Sequence, residues 1–265
     1  MTPNIKLQKQ LVLLSKILVA GVILLAGFVV IGSMCFFHFM ERISPYGITM
    51  NPLAAIEYII LGISYLLVVS KTDFPYKSVI INTILLIIIS FSLIVLYSYL
   101  SGIDIGIDKI LCKIEIGSLK LNRMSHFTAL CLFLNSLSLW LLQKNDKNKL
   151  ILSQIIAFIV LFISSFLLYS FLFGSLQLIY LYTDTPTAFF ADICHWFLAM
   201  AILLAYPDMG FAGEITKTKT GSKIVYLFLP IAITIPIIIG WLSTSNLFIQ
   251  HAPSVVFIVM LCLGT

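Results

Sequence analysis

Few side chains in this 265-residue chain can carry proton or metal chemistry, and their scarcity gives each one weight. Asp192 and His195 stand three residues apart in an apolar run, a spacing that puts both on one helical face. An imidazole titrates near neutrality and a neighbouring carboxylate favours its charged form, so such a pair can sense protons. The same pair could lend two ligands to a metal or a haem, with His126 as a further imidazole. A third reading is structural: the two side chains bond each other and hold a helix contact. Glu57 lies about one turn into another apolar run, where an ionisable group is costly enough to be a functional candidate. Asp104 and Asp108 belong to segment 101–124, whose polar and apolar residues interleave as in a headgroup-zone chain. That segment reads either as an outer cap over a pocket between helices or as an interfacial loop. The candidates for sensing a signal or ligand are therefore Glu57, Asp192, His195, His126, Asp104 and Asp108.

Other chemistries lack their residues. Cys35, Cys112, Cys131, Cys194 and Cys262 show no metal-ligand spacing, and Cys35 with Cys112 offers at most a disulfide on one outer side. His38 and His251 lie in outer regions, and no pairing of imidazoles for a haem is legible. No GxSxG, HExxH, P-loop or GxGxxG occurs in context, so the sequence predicts no enzyme, catalytic residue, metal or cofactor. Trp140, Trp196, Phe197 and Trp241 could line a pocket, although aromatic residues in such runs mostly pack or mark interfaces.

The elements that position these residues follow from composition. With 60% hydrophobic and only 10% charged residues, and a mean hydropathy of +1.10, water is not the main solvent of this chain. The net charge of +5 is scattered between apolar runs with no basic stripe, which excludes nucleic acid and leaves the charges as topology signals. Apolar runs predict spans at about 11–35, 52–70, 78–100, 125–142, 150–173, 186–205, 224–242 and 253–265. The seventh carries Pro230 and Pro236, and the eighth is too short to cross, so it reads as incomplete. The fold class expected is all-α: a polytopic transmembrane bundle of about eight helices in a single membrane domain. An N-terminus in the cytoplasm places the Lys144, Lys147 and Lys149 turn and the Lys217, Lys219 and Lys223 loop inside, as the positive-inside rule asks.

Internal repetition sets the arrangement. Leu96-Tyr97-Ser98-Tyr99-Leu100-Ser101-Gly102 returns as Leu168-Tyr169-Ser170-Phe171-Leu172-Phe173-Gly174. Met50-Asn51-Pro52-Leu53-Ala54-Ala55 returns as Met124-Ser125-His126-Phe127-Thr128-Ala129 and, more weakly, as Pro186-Thr187-Ala188-Phe189-Phe190-Ala191. The chain is thus a series of helical hairpins. Small residues opening the even-numbered helices make those helices the expected interior partners.

Further motifs carry a resemblance. Tyr99-Leu100-Ser101-Gly102-Ile103-Asp104-Ile105-Gly106-Ile107-Asp108 precedes Met124-Ser125-His126-Phe127-Thr128-Ala129-Leu130. Ala205-Tyr206-Pro207-Asp208-Met209-Gly210 and Ile239-Gly240-Trp241-Leu242 follow in order. Over nearly its whole length the chain resembles the multi-pass N-terminal region of bacterial sensor histidine kinases and diguanylate cyclases that carry PAS domains. The resemblance implies a membrane input module in the bacterial cytoplasmic membrane, without its own output domain. It implies as partners the lipid bilayer, a cytoplasmic output domain or partner protein, and a second copy in a homodimer. The rival expectations are a small-solute or ion transporter, or a structural membrane subunit.

Overall fold

A computed structural model describes residues 5–35, 48–70, 72, 74–111, 123–143, 146–172, 187–210 and 213. Among them are six α-helices and no strand: α1 (Ile5–Cys35), α2 (Pro52–Val69), α3 (Lys77–Ser101), α4 (His126–Leu142), α5 (Lys147–Leu172) and α6 (Phe189–Leu204). A single 3-10 turn, Ile107–Lys109, lies between α3 and α4. These match the first six predicted spans, with α1 beginning six residues earlier than expected. The predicted seventh and eighth spans lie outside the described residues.

Local chemistry sets the helix ends. Asn51 caps α2 by accepting from the N–H groups of Leu53 (2.8 Å) and Ala54 (3.3 Å), and Pro52 fills the first turn, where its missing N–H costs nothing. Ser125 caps α4 by accepting from the Thr128 N–H at 3.1 Å. Helix α3 stops at Gly102, which takes φ +70, a left-handed conformation with no side chain to oppose it. At the α2–α3 turn the Lys77 ammonium donates to the Ser70 and Thr72 carbonyls, each at 2.9 Å, placing a positive charge on the negative end of α2.

Four helices, α1, α2, α3 and α5, are long and apolar enough to cross a membrane, and α4 and α6 are shorter apolar helices. Only 28% of the most apolar window of α3 is buried, so rows such as Leu86, Ile87, Leu93 and Leu100 stay exposed. Such a surface suits lipid better than water.

Helices α2, α4 and α6 pack on one another as an inner triangle. Each outer helix fills one groove of it: α1 between α2 and α6, α3 between α2 and α4, α5 between α4 and α6. The second, fourth and sixth spans are thus interior, as expected of the even-numbered ones, and the eighth lies outside the described residues. Close approach uses small residues, as membrane packing requires. A Cβ on Gly62 of α2 would sit 2.8 Å from Ile23 Cγ1 of α1, and one on Gly21 would meet the Phe197 ring at 3.3 Å. Between α4 and α5 the hydroxyls of Ser138 and Ser153 each donate to the other residue's carbonyl, at 2.7 and 2.8 Å.

Counted from their caps Asn51, Ser125 and Ala188, the inner helices bury the same positions: 3, 4, 6, 7, 10, 11, 13 and 14. This register corrects the third sequence repeat by one residue. The sequence pairs Thr187 with Asn51 and Ser125, whereas in the structure Ala188 stands at the cap. The reason is local: the Thr187 hydroxyl is engaged by Asp192 at 2.9 Å, so it does not cap its helix.

Candidate functional site

The buried faces of the inner helices meet in one polar cluster. Helix α2 contributes Glu57 and Tyr58, α4 contributes Cys131 and Asn135, and α6 contributes Asp192, Cys194 and His195, all buried. The spacing of three does put Asp192 and His195 on one face, but they do not bond each other. Asp192 Oδ2 accepts from the Thr187 hydroxyl, whereas His195 bonds across to α2 and α4. The structural reading of that pair is therefore replaced by two separate links.

His195 sits in a chain of hydrogen bonds whose direction can be assigned. Its Nδ1 lies 3.3 Å from Asn135 Nδ2, and its Nε2 lies 2.6 Å from the Tyr58 oxygen. The Tyr58 oxygen is also 3.2 Å from the Ala191 carbonyl. With the Asn135 amide group donating to Nδ1, Nε2–H donates to Tyr58, and Tyr58 donates to Ala191. Every donor in that chain has an acceptor, and the imidazole is neutral. The rings of Tyr58 and His195 meet edge-on, with centroids 5.0 Å apart.

The acceptors are less well served. Glu57 Oε2, Asn135 Oδ1 and Asp192 Oδ1, one on each inner helix, are buried without a hydrogen-bond partner. No Lys or Arg occurs in α2, α4 or α6. Counted from the caps these residues stand at positions 6, 10 and 4, with Tyr58 and His195 both at 7. At about 1.5 Å per residue, the cluster fills the first ~15 Å below the caps. Leu61 and Leu198 stand level with Asn135 at position 10, and beyond them Leu139, Ile202 and Tyr65 at position 14 close the bundle, the Tyr65 hydroxyl being spent on the Ala201 carbonyl at 2.9 Å.

Segment 101–111 lies over the cap end of the cluster. Asp108 is buried there: its carboxylate accepts from the Met124 N–H at 3.0 Å and faces Arg123 Nε at 3.6 Å. Its carbonyl accepts from Asn51 Nδ2 at 2.9 Å, which ties the cap of α2 to the start of α4. Arg123 in turn donates to the Ser98 hydroxyl at 2.6 Å and lies 4.4 Å over the Tyr99 ring, whose hydroxyl donates to the Met124 carbonyl at 2.7 Å. Through Asp108 the described part of the segment is tied to the starts of α2 and α4, while residues 101–105 stay exposed. Asp104 is exposed and pairs with Lys109, which holds its carboxyl below the usual carboxylate range. His126 stacks edge-on against Tyr99 and tilted against Phe127, at the start of α4.

The structure thus buries Glu57, Asp192 and His195 on the facing sides of α2 and α6, uses Asp108 to tie the starts of α2 and α4 together, and leaves Asp104 and His126 away from them. Among the described residues no three His, Cys, Asp or Glu side chains are grouped to hold a metal ion. Trp196 donates to the Ser165 hydroxyl at 3.1 Å, and Phe197 packs beside Gly21, so both face outer helices. Trp241, Cys112, His38 and His251 lie outside the described residues. Sequence reasoning missed Tyr58, Asn135 and Thr187. Aligning the three repeats on their caps would have exposed the first two, because both fall on positions buried in every copy. No protein-family model, curated protein or solved structure matches this chain.

Proposed function

We propose that this chain is the membrane-embedded input module of a bacterial signal-transduction receptor of the histidine-kinase or diguanylate-cyclase type. One observation carries the reading: the polar cluster occupies only the cap half of the inner triangle and ends on an apolar layer. A stimulus that reaches Asp192, Glu57 and the His195 chain from that side alters the packing of three helices without a route through them. With the N-terminus in the cytoplasm of the bacterial inner membrane, that side is the outer one. The two-state element is the α2–α4–α6 contact, and the chain leaving α6 is the path to a cytoplasmic output domain or partner. The lipid bilayer and a second copy of the chain complete the expected surroundings.

Transport is the second reading, motivated by repeated hairpins and buried carboxylates. The apolar layer disfavours it, since a solute path needs polar access from both sides. The test places the chain in lipid nanodiscs and proteoliposomes. An input module shows stimulus-dependent hydrogen exchange at the inner helices and the turn at 205–210, lost in Asp192→Asn, and no solute flux. Uptake of a labelled solute that Asp192→Asn abolishes would replace this reading with a transporter.

A further inference from the structure

We infer that the bundle is a gauge of bilayer thickness, with Lys16 of α1 as the side chain whose depth the lipid sets. One exposed stripe runs along α1 through Lys9, Leu13, Lys16, Leu24, Phe28 and Ile31. Its outer part is apolar, whereas its inner part alternates, with a lysine on each side of Leu13. A lysine in contact with lipid keeps its charged end at the headgroups and buries only its stem. The two lysines are therefore two rungs against which the inner membrane surface is set. They stand seven residues apart, about 10 Å along the helix.

Packing contacts fix the depth of each rung. A Cβ on Gly62 would meet Val19 and Ile23, and one on Gly21 would meet Phe197, so the middle of α1 stands level with Gly62 of α2 and Phe197 of α6. Further in, Gln8 Nε2 reaches the Pro207 carbonyl at 3.5 Å, so α1 runs antiparallel to α6. Lys16 thus lies about 3 Å short of Val69 and Leu204, the inner ends of α2 and α6. Counted from the polar rim at Asn51, Lys16 is about 24 Å deep and Lys9 about 35 Å. A hydrocarbon core of about 30 Å ends between them, roughly 6 Å past Lys16. That gap is about the length of a lysine's four-carbon stem, so snorkelling closes it in an average bilayer and fails in a thicker one. The inner helices offer no deeper seat, since at 18, 17 and 16 residues they are only about 24–27 Å long. Thickening therefore draws Lys16 below the surface or slides α1 toward the inner side. The Gln8 contact hands that movement to the turn leaving α6, where Gly210 has no room for a Cβ against Gln154 of α5.

This inference rests on the input-module reading for its purpose, naming bilayer thickness as the stimulus, though not for its test. The full chain is reconstituted in phosphatidylcholine vesicles whose monounsaturated chains run from about 14 to about 22 carbons. The unfolding temperature should peak in a short or intermediate lipid and fall by roughly 5–10 °C in the longest. Lys16→Leu, which leaves Lys9 as the first rung, should move the optimum to longer chains, and Lys9→Leu should leave it in place. In wild type, acylation of Lys16 by a water-soluble reagent, read by mass spectrometry against Lys6, should fall about tenfold from the shortest lipid to the longest, with Lys9 constant. That measurement needs no variant to fold. An unfolding temperature independent of chain length, an optimum unmoved in Lys16→Leu, or constant labelling of Lys16 overturns the gauge. Thickness-dependent labelling of Lys16 with no change in hydrogen exchange at 205–210 leaves the gauge standing and removes thickness as the input. Exchange at 205–210 that answers another stimulus while Lys16 labelling stays constant removes the gauge and leaves the input role.

Discussion

Asp108 and Asp192 are both buried, at 3% and 0% exposure, yet their surroundings differ. Asp108 has a backbone donor, an arginine and a neighbouring helix cap to hold. Asp192 has one threonine hydroxyl, and its other oxygen faces no donor. The first arrangement makes burial of a carboxylate tolerable and fixes a shape. The second leaves part of the desolvation cost standing, which persists in folded chains chiefly where something else makes use of it. The same residue type is thus a fastener at the rim of the bundle and an unsatisfied group in its core.

Substitutions that treat the two sites alike should separate them most. Asp108→Ala leaves the Met124 N–H without its acceptor and takes the carboxylate from beside Arg123, so unfolding in mixed micelles should show a loss of about 2–4 kcal/mol. Gly62→Ala, which drives a Cβ against Ile23 and tests the wall of the core rather than either acid, should cost about 1–3 kcal/mol by the same assay. Tyr58→Phe removes the hydroxyl between His195 and Ala191 and should cost about 1–2 kcal/mol. Asp192→Asn keeps an acceptor for Thr187 and the size of the side chain, so stability should change by less than about 1 kcal/mol in either direction. A loss as large as that of Asp108→Ala would erase the distinction between the two regions. Asp104→Asn should change stability by less than about 0.5 kcal/mol, because its pair with Lys109 is exposed to solvent. The Asp104 carboxyl is held low in the folded chain, so what it contributes is present above the unfolded pKa of about 3.9. That contribution is lost as pH falls through the lower folded value, and an acid titration of the variant against wild type checks this.

Much of the fold was legible because hydropathy and repetition are coarse signals that survive without tertiary knowledge. Runs long enough to span, and caps such as Asn51-Pro52 and Ser125, fixed α2 to α6 to within a few residues. The start of α1 was misjudged because Lys6 and Lys9 lower local hydropathy without interrupting the helix. The site was half legible. Charges in apolar runs pointed to Glu57, Asp192 and His195, while neutral partners such as Tyr58 and Asn135 carry no such flag. Nor could sequence separate Asp104 from Asp108: four residues apart in one loop, Asp108 falls within the 3-10 turn at Ile107–Lys109 and is buried, while Asp104 lies ahead of it and stays exposed.

The shared register of the inner helices turns the core into a grid with three columns and eight rows. A row fixes depth, and a column fixes which two outer helices stand behind a side chain. Row 6 holds Glu57, Cys131 and Cys194, and row 7 holds Tyr58, Leu132 and His195. Moving a residue along its row keeps its depth and changes only its neighbours. A descendant of this chain can therefore relocate its carboxylate from one column to another and still hold it at the same level beneath the rim.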